Sequence, residues 1–267
     1  MSSFSLRRVW AVFWKDSKDL LKNKGLLASM LVLPLVLIVV PTGVVYAYAY
    51  QPDDPSLKAM AYYYDPNLPS GASAAMFLIR RSLADWFSLY LLMPVFVPVL
   101  ISSQAVAGEK ERRTLEPLLA SPVTAAEILA GKSLTSLVPS MLITIGAFGV
   151  LSLTVNAVCW DLFHEAVLPN GMWLFGIFVV APLFAFFGNA IAVIISARVG
   201  EARMAQQISG VVMLPLIGLF GSQVAGLLRA GTSYYATLAA VVFVLDVVLV
   251  LIGIKLFDRE RLITKWV

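Results

Sequence analysis

One cysteine and one histidine in 267 residues leave little raw material for several kinds of chemistry. Cys159 cannot form an intrachain disulfide, and no Cys/His metal cluster or Ser-His or Cys-His catalytic arrangement can be built from so few groups, so Cys159 and His164 are read as structural residues of a short loop. Charge is also scarce: 13% of residues are Asp, Glu, Lys or Arg, where a soluble domain carries about 25%. An ordinary soluble fold is thereby excluded. Strict alternation of apolar and polar residues is missing as well, which excludes a membrane β-barrel. A complete phosphate-binding loop is absent too, because Gly131-Lys132-Ser133 imitates its end but the glycine due at position 126 is Ala126.

What the chain has is apolar sequence: 60% hydrophobic residues and a mean hydropathy of +0.85. Uncharged runs cover 25–52, 86–108, 133–160, 166–197 and 204–228, and a sixth, 230–254, is interrupted only by Asp246. A helix needs about 20 apolar residues to cross a bilayer core. The runs therefore predict an all-α integral membrane protein with six spans at about 25–48, 83–105, 133–157, 173–197, 208–228 and 234–257. Residues 1–24 form an N-terminal amphipathic segment, 25–257 the six-span domain and 258–267 a charged tail.

Lysine and arginine set the orientation. With both termini in the cytoplasm, 16 of the 20 basic residues lie inside, and only Lys58, Arg80, Arg81 and Arg229 remain outside. The net charge of +4 follows from this topology and calls for no nucleic-acid partner. The expected location is the cytoplasmic membrane, multi-pass.

Within the N-terminal segment, Leu6, Val9, Trp10, Phe13, Trp14, Ser17, Leu20 and Leu21 share one helical face, with Arg7, Arg8, Lys15, Lys18 and Lys22 largely opposite. That pattern predicts an interfacial helix on the lipid bilayer. Ala47-Tyr48-Ala49 resembles a signal cleavage site, but the apolar run before it far exceeds the roughly 7–15 residues of a signal peptide, so no cleavage is expected. Residues 51–82 carry four prolines and several aspartates, which favour turns, with a short helix over Ala72–Ile79. Pro94 and Pro98 predict a kink in the second span, and Pro215, Gly218, Gly221 and Gly226 predict a break in the fifth.

The most informative stretch is Gln104–Lys132, a charged segment between two apolar runs. Glu109 to Ala120 predicts a short amphipathic helix with Leu115, Leu118 and Leu119 as its apolar anchor and Glu109, Glu111, Arg112, Arg113 and Glu116 exposed beside Thr114. Ser121-Pro122 turns the chain, and Thr124 with Glu127 forms a capping box that starts the next helix.

This segment resembles the cytoplasmic coupling segment of ABC type-2 exporter permeases. Glu109, Glu111, Thr114, Leu115, Glu116, Leu118, Leu119, Ser121, Pro122, Gly131 and Lys132 carry the likeness. The resemblance implies a non-catalytic permease subunit with an elbow helix before the first span and a re-entrant end to the fifth, Gly218 to Leu228. It also implies two copies of a soluble ATPase that bind ATP, no cofactor in this chain, and a second permease protomer, identical or closely related. Glu109 to Leu119 would be the coupling residues.

Asp246 lies in the middle of a span, where a charge is costly unless partnered, hydrated or protonated, and Asn189 and Gln223 are the polar neighbours it could meet. Interhelical contact and a place on the substrate path both remain open for these three. The alternative function is a stand-alone ion- or proton-coupled secondary transporter or channel using Asp246. Substrate class is open among lipid, drug, sodium and polysaccharide.

Overall fold

The computed structural model describes residues 4–69, 71–111, 123–224 and 231–256. Every regular element among them is helical. In chain order these are α1 (Leu6–Lys22), α2 (Lys24–Tyr50), α3 (Pro55–Tyr64), α4 (Ala74–Tyr90), α5 (Met93–Ser102), α6 (Ala107–Glu111) and α7 (Ala125–Phe163). There follow α8 (Gly171–Phe175), a π-helical turn (Gly176–Val180), α9 (Ala181–Arg198), α10 (Ala202–Val211), α11 (Met213–Val224) and α12 (Thr232–Leu256). Six stretches are long and apolar enough to cross a membrane: Lys24–Tyr50, Ala74–Glu111, Ala126–Phe163, Gly171–Arg198, Ala202–Gln223 and Ser233–Gly253. The predicted all-α, six-span class therefore stands.

Proline explains where the spans break. Pro94 has no N–H to offer the carbonyl of Tyr90, and the second span is interrupted there, between α4 and α5. Pro98 in turn leaves the Pro94 carbonyl without its intrahelical donor, and the Ser140 hydroxyl of α7 donates to that oxygen at 3.2 Å. In the fifth span the interruption falls at Val212, one turn before Pro215. Met213–Val224 then runs unbroken through Gly218 and Gly221, and Ala225–Leu228, the rest of the expected re-entrant end, lies outside the described residues.

Two helices outrun the spans expected from sequence. The second span begins at Ala74, capped by the Ser73 hydroxyl, instead of Leu83. Its Arg80 pairs with Glu165 at 3.1 Å and Arg81 lies over the Tyr64 ring at 4.7 Å. The third span, expected over 133–157, occupies all of α7 and ends at His164 in a left-handed conformation. The loop at 51–82, read from its prolines and aspartates as turns, instead holds α3 as well, because Asp54-Pro55 starts a helix: the aspartate side chain accepts from Ser56 N at 2.8 Å and proline takes the first turn.

The core lies where α4, α7 and α8 meet. Trp173 is fully buried among Phe87, Tyr90 and Phe148, with ring centroids 4.9, 5.2 and 5.4 Å away. Helix α9 packs most extensively on α5 because Gly188 lets the backbones touch; a Cβ there would stand 2.7 Å from the Val95 carbonyl oxygen. In contrast, Val32, Leu35 and Val39 on α2 and Val241, Phe243 and Val244 on α12 are exposed, an apolar surface suited to lipid.

Candidate functional site: the junction at the α1 end

The capping box predicted from Thr124 and Glu127 is formed: Thr124 N donates to Glu127 Oε2 at 2.7 Å and Glu127 N donates to Thr124 Oγ1 at 3.3 Å. Glu127 also reaches across the chain. Its Oε1 accepts from Ser5 N at 2.6 Å and its Oε2 lies 3.4 Å from Arg8. One carboxylate thus starts α7 and holds the beginning of α1 against it.

One turn further along α7, Gly131 fits directly under α1. A Cβ at this position would fall 2.7 Å from Val12 Cβ and 2.9 Å from the Val9 carbonyl oxygen. Close approach brings Lys132 into a buried cluster, with its Nζ 2.8 Å from Glu109 Oε1 and 3.1 Å from Asp16 Oδ2. Lys15 completes the set at 3.3 Å from Glu109 and 3.4 Å from Asp16. Burial pulls the Lys15 ammonium toward neutrality, but Asp16 and Glu109 outweigh it and hold the pKa above the ordinary lysine value.

One sequence expectation changes here. Glu109 belongs to no exposed register-setting face: it is 9% exposed, because two lysines from separate helices enclose it. Lys132 is enclosed in the same way, 5% exposed and doubly paired.

The other side of the junction is stitched to α9 and α10. The turn between α5 and α6 leaves backbone N–H groups without helical partners, and the Ser196 hydroxyl accepts from Val106 N at 3.1 Å and Ala107 N at 2.9 Å. That hydroxyl donates in turn to the Ser103 carbonyl at 2.7 Å. Lys110 Nζ caps the end of α9 through the Ala197 carbonyl at 2.7 Å, and Glu111 accepts from Ala202 N at 3.4 Å. Arg112, Arg113, Thr114, Leu115, Glu116, Leu118 and Leu119 lie outside the described residues, so what is defined is how both flanks of that segment are anchored.

The polar residues within the spans fall into separate groups. Asn189 is the hub of one: its Oδ1 accepts from Ser102 at 2.7 Å and Ser136 at 2.8 Å, and its Nδ2 donates to Ser133 at 2.9 Å. Gln223 belongs to another, near the opposite end of the bundle, donating to Tyr235 Oη at 2.8 Å, which lies 2.6 Å from Ser88 Oγ. Neither joins Asp246, which is 5% exposed on the buried stripe Tyr235, Ala239, Val242, Asp246, with no hydrogen-bond partner for either carboxylate oxygen among the described residues.

Asp16, Ser102, Ser133, Ser136 and Ser196 are the site residues that pattern reading passed over. A signal existed for two elements. Asp16 continues the Val9, Val12, Leu20 stripe of α1 at helical spacing, and Ser133, Ser136 and Ser140 recur along α7 at intervals of three and four.

No curated protein matches this chain. A family model described as ABC-2 family transporter protein matches residues 10–233, which includes the first five spans and the ion-pair cluster of Lys15, Asp16, Glu109 and Lys132. On that match and on its six membrane-spanning helices, the chain belongs to the ABC-2 family and is the membrane permease component of an ABC transporter.

Proposed function

We propose that this permease drives export across the cytoplasmic membrane, powered by two copies of a separate soluble ATPase gripping residues 111–120, and that it works beside a second permease protomer, identical or closely related. Both termini are cytoplasmic in this reading, as the distribution of lysine and arginine favours. The chain itself holds no nucleotide and performs no chemistry; ATP binds to the partner.

The observation that carries the proposal is the anchoring of both flanks. Glu109 ties the segment's start to α1 and α7, Lys110 and Glu111 tie it to α9 and α10, and Glu127 ties its far side to α1. A force applied between them is delivered to four helices at once instead of being absorbed by a loose loop. Leu115, Leu118 and Leu119 then supply an apolar anchor for a partner groove, and Glu111, Arg112, Arg113 and Glu116 set its register around Thr114.

The test is Leu115→Asp with Leu118→Asp in the complete complex: ATPase binding and ATP-driven transport are lost while membrane insertion is kept. Full transport by this double variant refutes the docking role. The second reading, an ion- or proton-coupled carrier, is favoured by the lone carboxylate of Asp246. It requires energy-dependent transport by the purified chain without any ATPase, abolished by Asp246→Asn.

A further inference from the structure

Beside the ion-pair cluster is a half-open cavity of about 250 Å³, lined by α1, the start of α2, the end of α5, α6 and α7. Its walls differ in chemistry. One carries Lys15, Asp16, Asp19, Glu109 and Lys132; the other is formed by Leu20, Leu26 and Ile101, which run into the small apolar cluster around Met30 and Val97. Since α2 and α5 lead into the spans, polarity falls along the cavity in the direction in which it falls across a membrane leaflet.

Helix α1 sets the depth. Trp10, Trp14 and Leu21 are 59%, 54% and 67% exposed on its far side, and Lys18 lies over the Trp14 ring at 5.4 Å. A helix with exposed tryptophans flanked by lysines rests at the boundary between headgroups and acyl chains. The cavity behind it is therefore at headgroup level.

The charge balance selects the occupant. Three carboxylates face two ammonium groups, and both lysines are engaged by Asp16 and Glu109. Asp19 is left as the available anion, since its ion pair is a solvent-exposed contact with Lys22 at 3.7 Å, a kind that contributes little. Gln104, whose amide carries an acceptor oxygen, also lines the cavity. Acceptors of this sort suit a primary ammonium, which has three N–H donors; a quaternary ammonium has none.

We propose that this cavity binds the headgroup of an aminophospholipid from the leaflet in which α1 lies, its ammonium on Asp19 and Gln104 and its acyl chains leaving past Leu20, Leu26 and Ile101. Lys15, half exposed and with one N–H left beyond its contacts to Asp16 and Glu109, faces the phosphate. The lipid wedges between α1 and α6 and so becomes part of the junction that holds the coupling segment. No ATPase is needed for the binding, so failure here is distinct from failure of the exporter reading.

The experiment uses the full chain, purified in mild detergent, stripped of lipid and titrated with phosphatidylethanolamine, phosphatidylcholine or phosphatidylglycerol of identical acyl chains, with retained lipid counted by native mass spectrometry. Wild type is expected to favour phosphatidylethanolamine over phosphatidylcholine by on the order of ten-fold, as a charge-assisted hydrogen bond allows. Asp19→Asn removes that preference, and Asp19→Lys, a change at an exposed position, moves it to phosphatidylglycerol. Asp161→Asn, at the opposite end of α7, leaves it intact. Equal retention of the ethanolamine and choline lipids by wild type, or an unchanged preference in Asp19→Asn, overturns the proposal.

Discussion

Lys132 Nζ stands 2.8 Å from Glu109 Oε1 and joins the first turns of α7 to α6 across the charged segment between them. Asp16, 116 residues away in sequence, holds the same ammonium from α1 at 3.1 Å. Helices α6 and α7, on either side of residues 112–122, and α1 packed beside them therefore share one buried cation.

Replacing Lys132 with methionine removes the buried counter-ion of Asp16 and Glu109 and leaves them only the half-exposed Lys15. Removing one partner of a buried pair costs about 3–5 kcal/mol, so the variant should melt well below wild type in detergent. Lys132→Arg keeps the charge and should recover most of the loss; a methionine variant as stable as wild type refutes the clamp.

Gly131 and Gly146 are both mid-helix in α7, but alanine should act in opposite directions. At Gly131 the new methyl meets Val12 and the Val9 backbone, and the overpacking costs about 1–3 kcal/mol. Nothing lies within 4 Å of a Cβ at Gly146, so Gly146→Ala gains helix propensity of about 0.5–1 kcal/mol. Paired thermal denaturation curves decide it.

Ser196→Ala strands the buried N–H groups of Val106 and Ala107 and removes a donor from the Ser103 carbonyl. Each unsatisfied group costs about 1–3 kcal/mol. The expected outcome is faster amide exchange at Val106 and Ala107 and weaker coupling of ATP hydrolysis to transport; unchanged exchange rules out the stitch.

Asp246→Leu should raise thermal stability, because a buried carboxyl with no hydrogen-bond partner among the described residues is replaced by an apolar side chain of similar size. A lower melting temperature would mean that Asp246 has a stabilising contact. If transport falls while stability rises, the carboxyl is kept for the pathway.

The pH response of the junction follows from Lys15. Its folded pKa is raised, so its share of stability is complete below the ordinary lysine value of 10.5 and is lost only as pH climbs through the higher folded value. At 52% side-chain exposure that share is about 0–1 kcal/mol. The melting difference between wild type and Lys15→Met should therefore stay constant from about pH 6 to about pH 9. A difference that disappears within that window contradicts the raised value.

Much of this was legible because the causes are local. Pro94 and Pro215 break the helices that contain them through a missing N–H, and Thr124 and Glu127 cap α7 within a single turn. Glu109 was misassigned to an exposed face for the opposite reason: helical spacing reports which residues share a side, not which side another helix covers. Arg80 and Arg81 made the second span look shorter than it is, since their pairing with Glu165 and the Tyr64 ring comes from distant segments.

The sequence by itself determined the membrane class, the six spans, the capped start of α7 and the family likeness of residues 109–132, because length, composition and short-range spacing are properties of contiguous residues. Only the tertiary structure decided that Lys132 serves Glu109 and Asp16, that Asn189 gathers serines from α5 and α7, and that Asp246 meets neither Asn189 nor Gln223. These contacts join helices far apart in sequence, and the rotation and closeness of each pair are fixed by packing, at Gly131 and Gly188 above all.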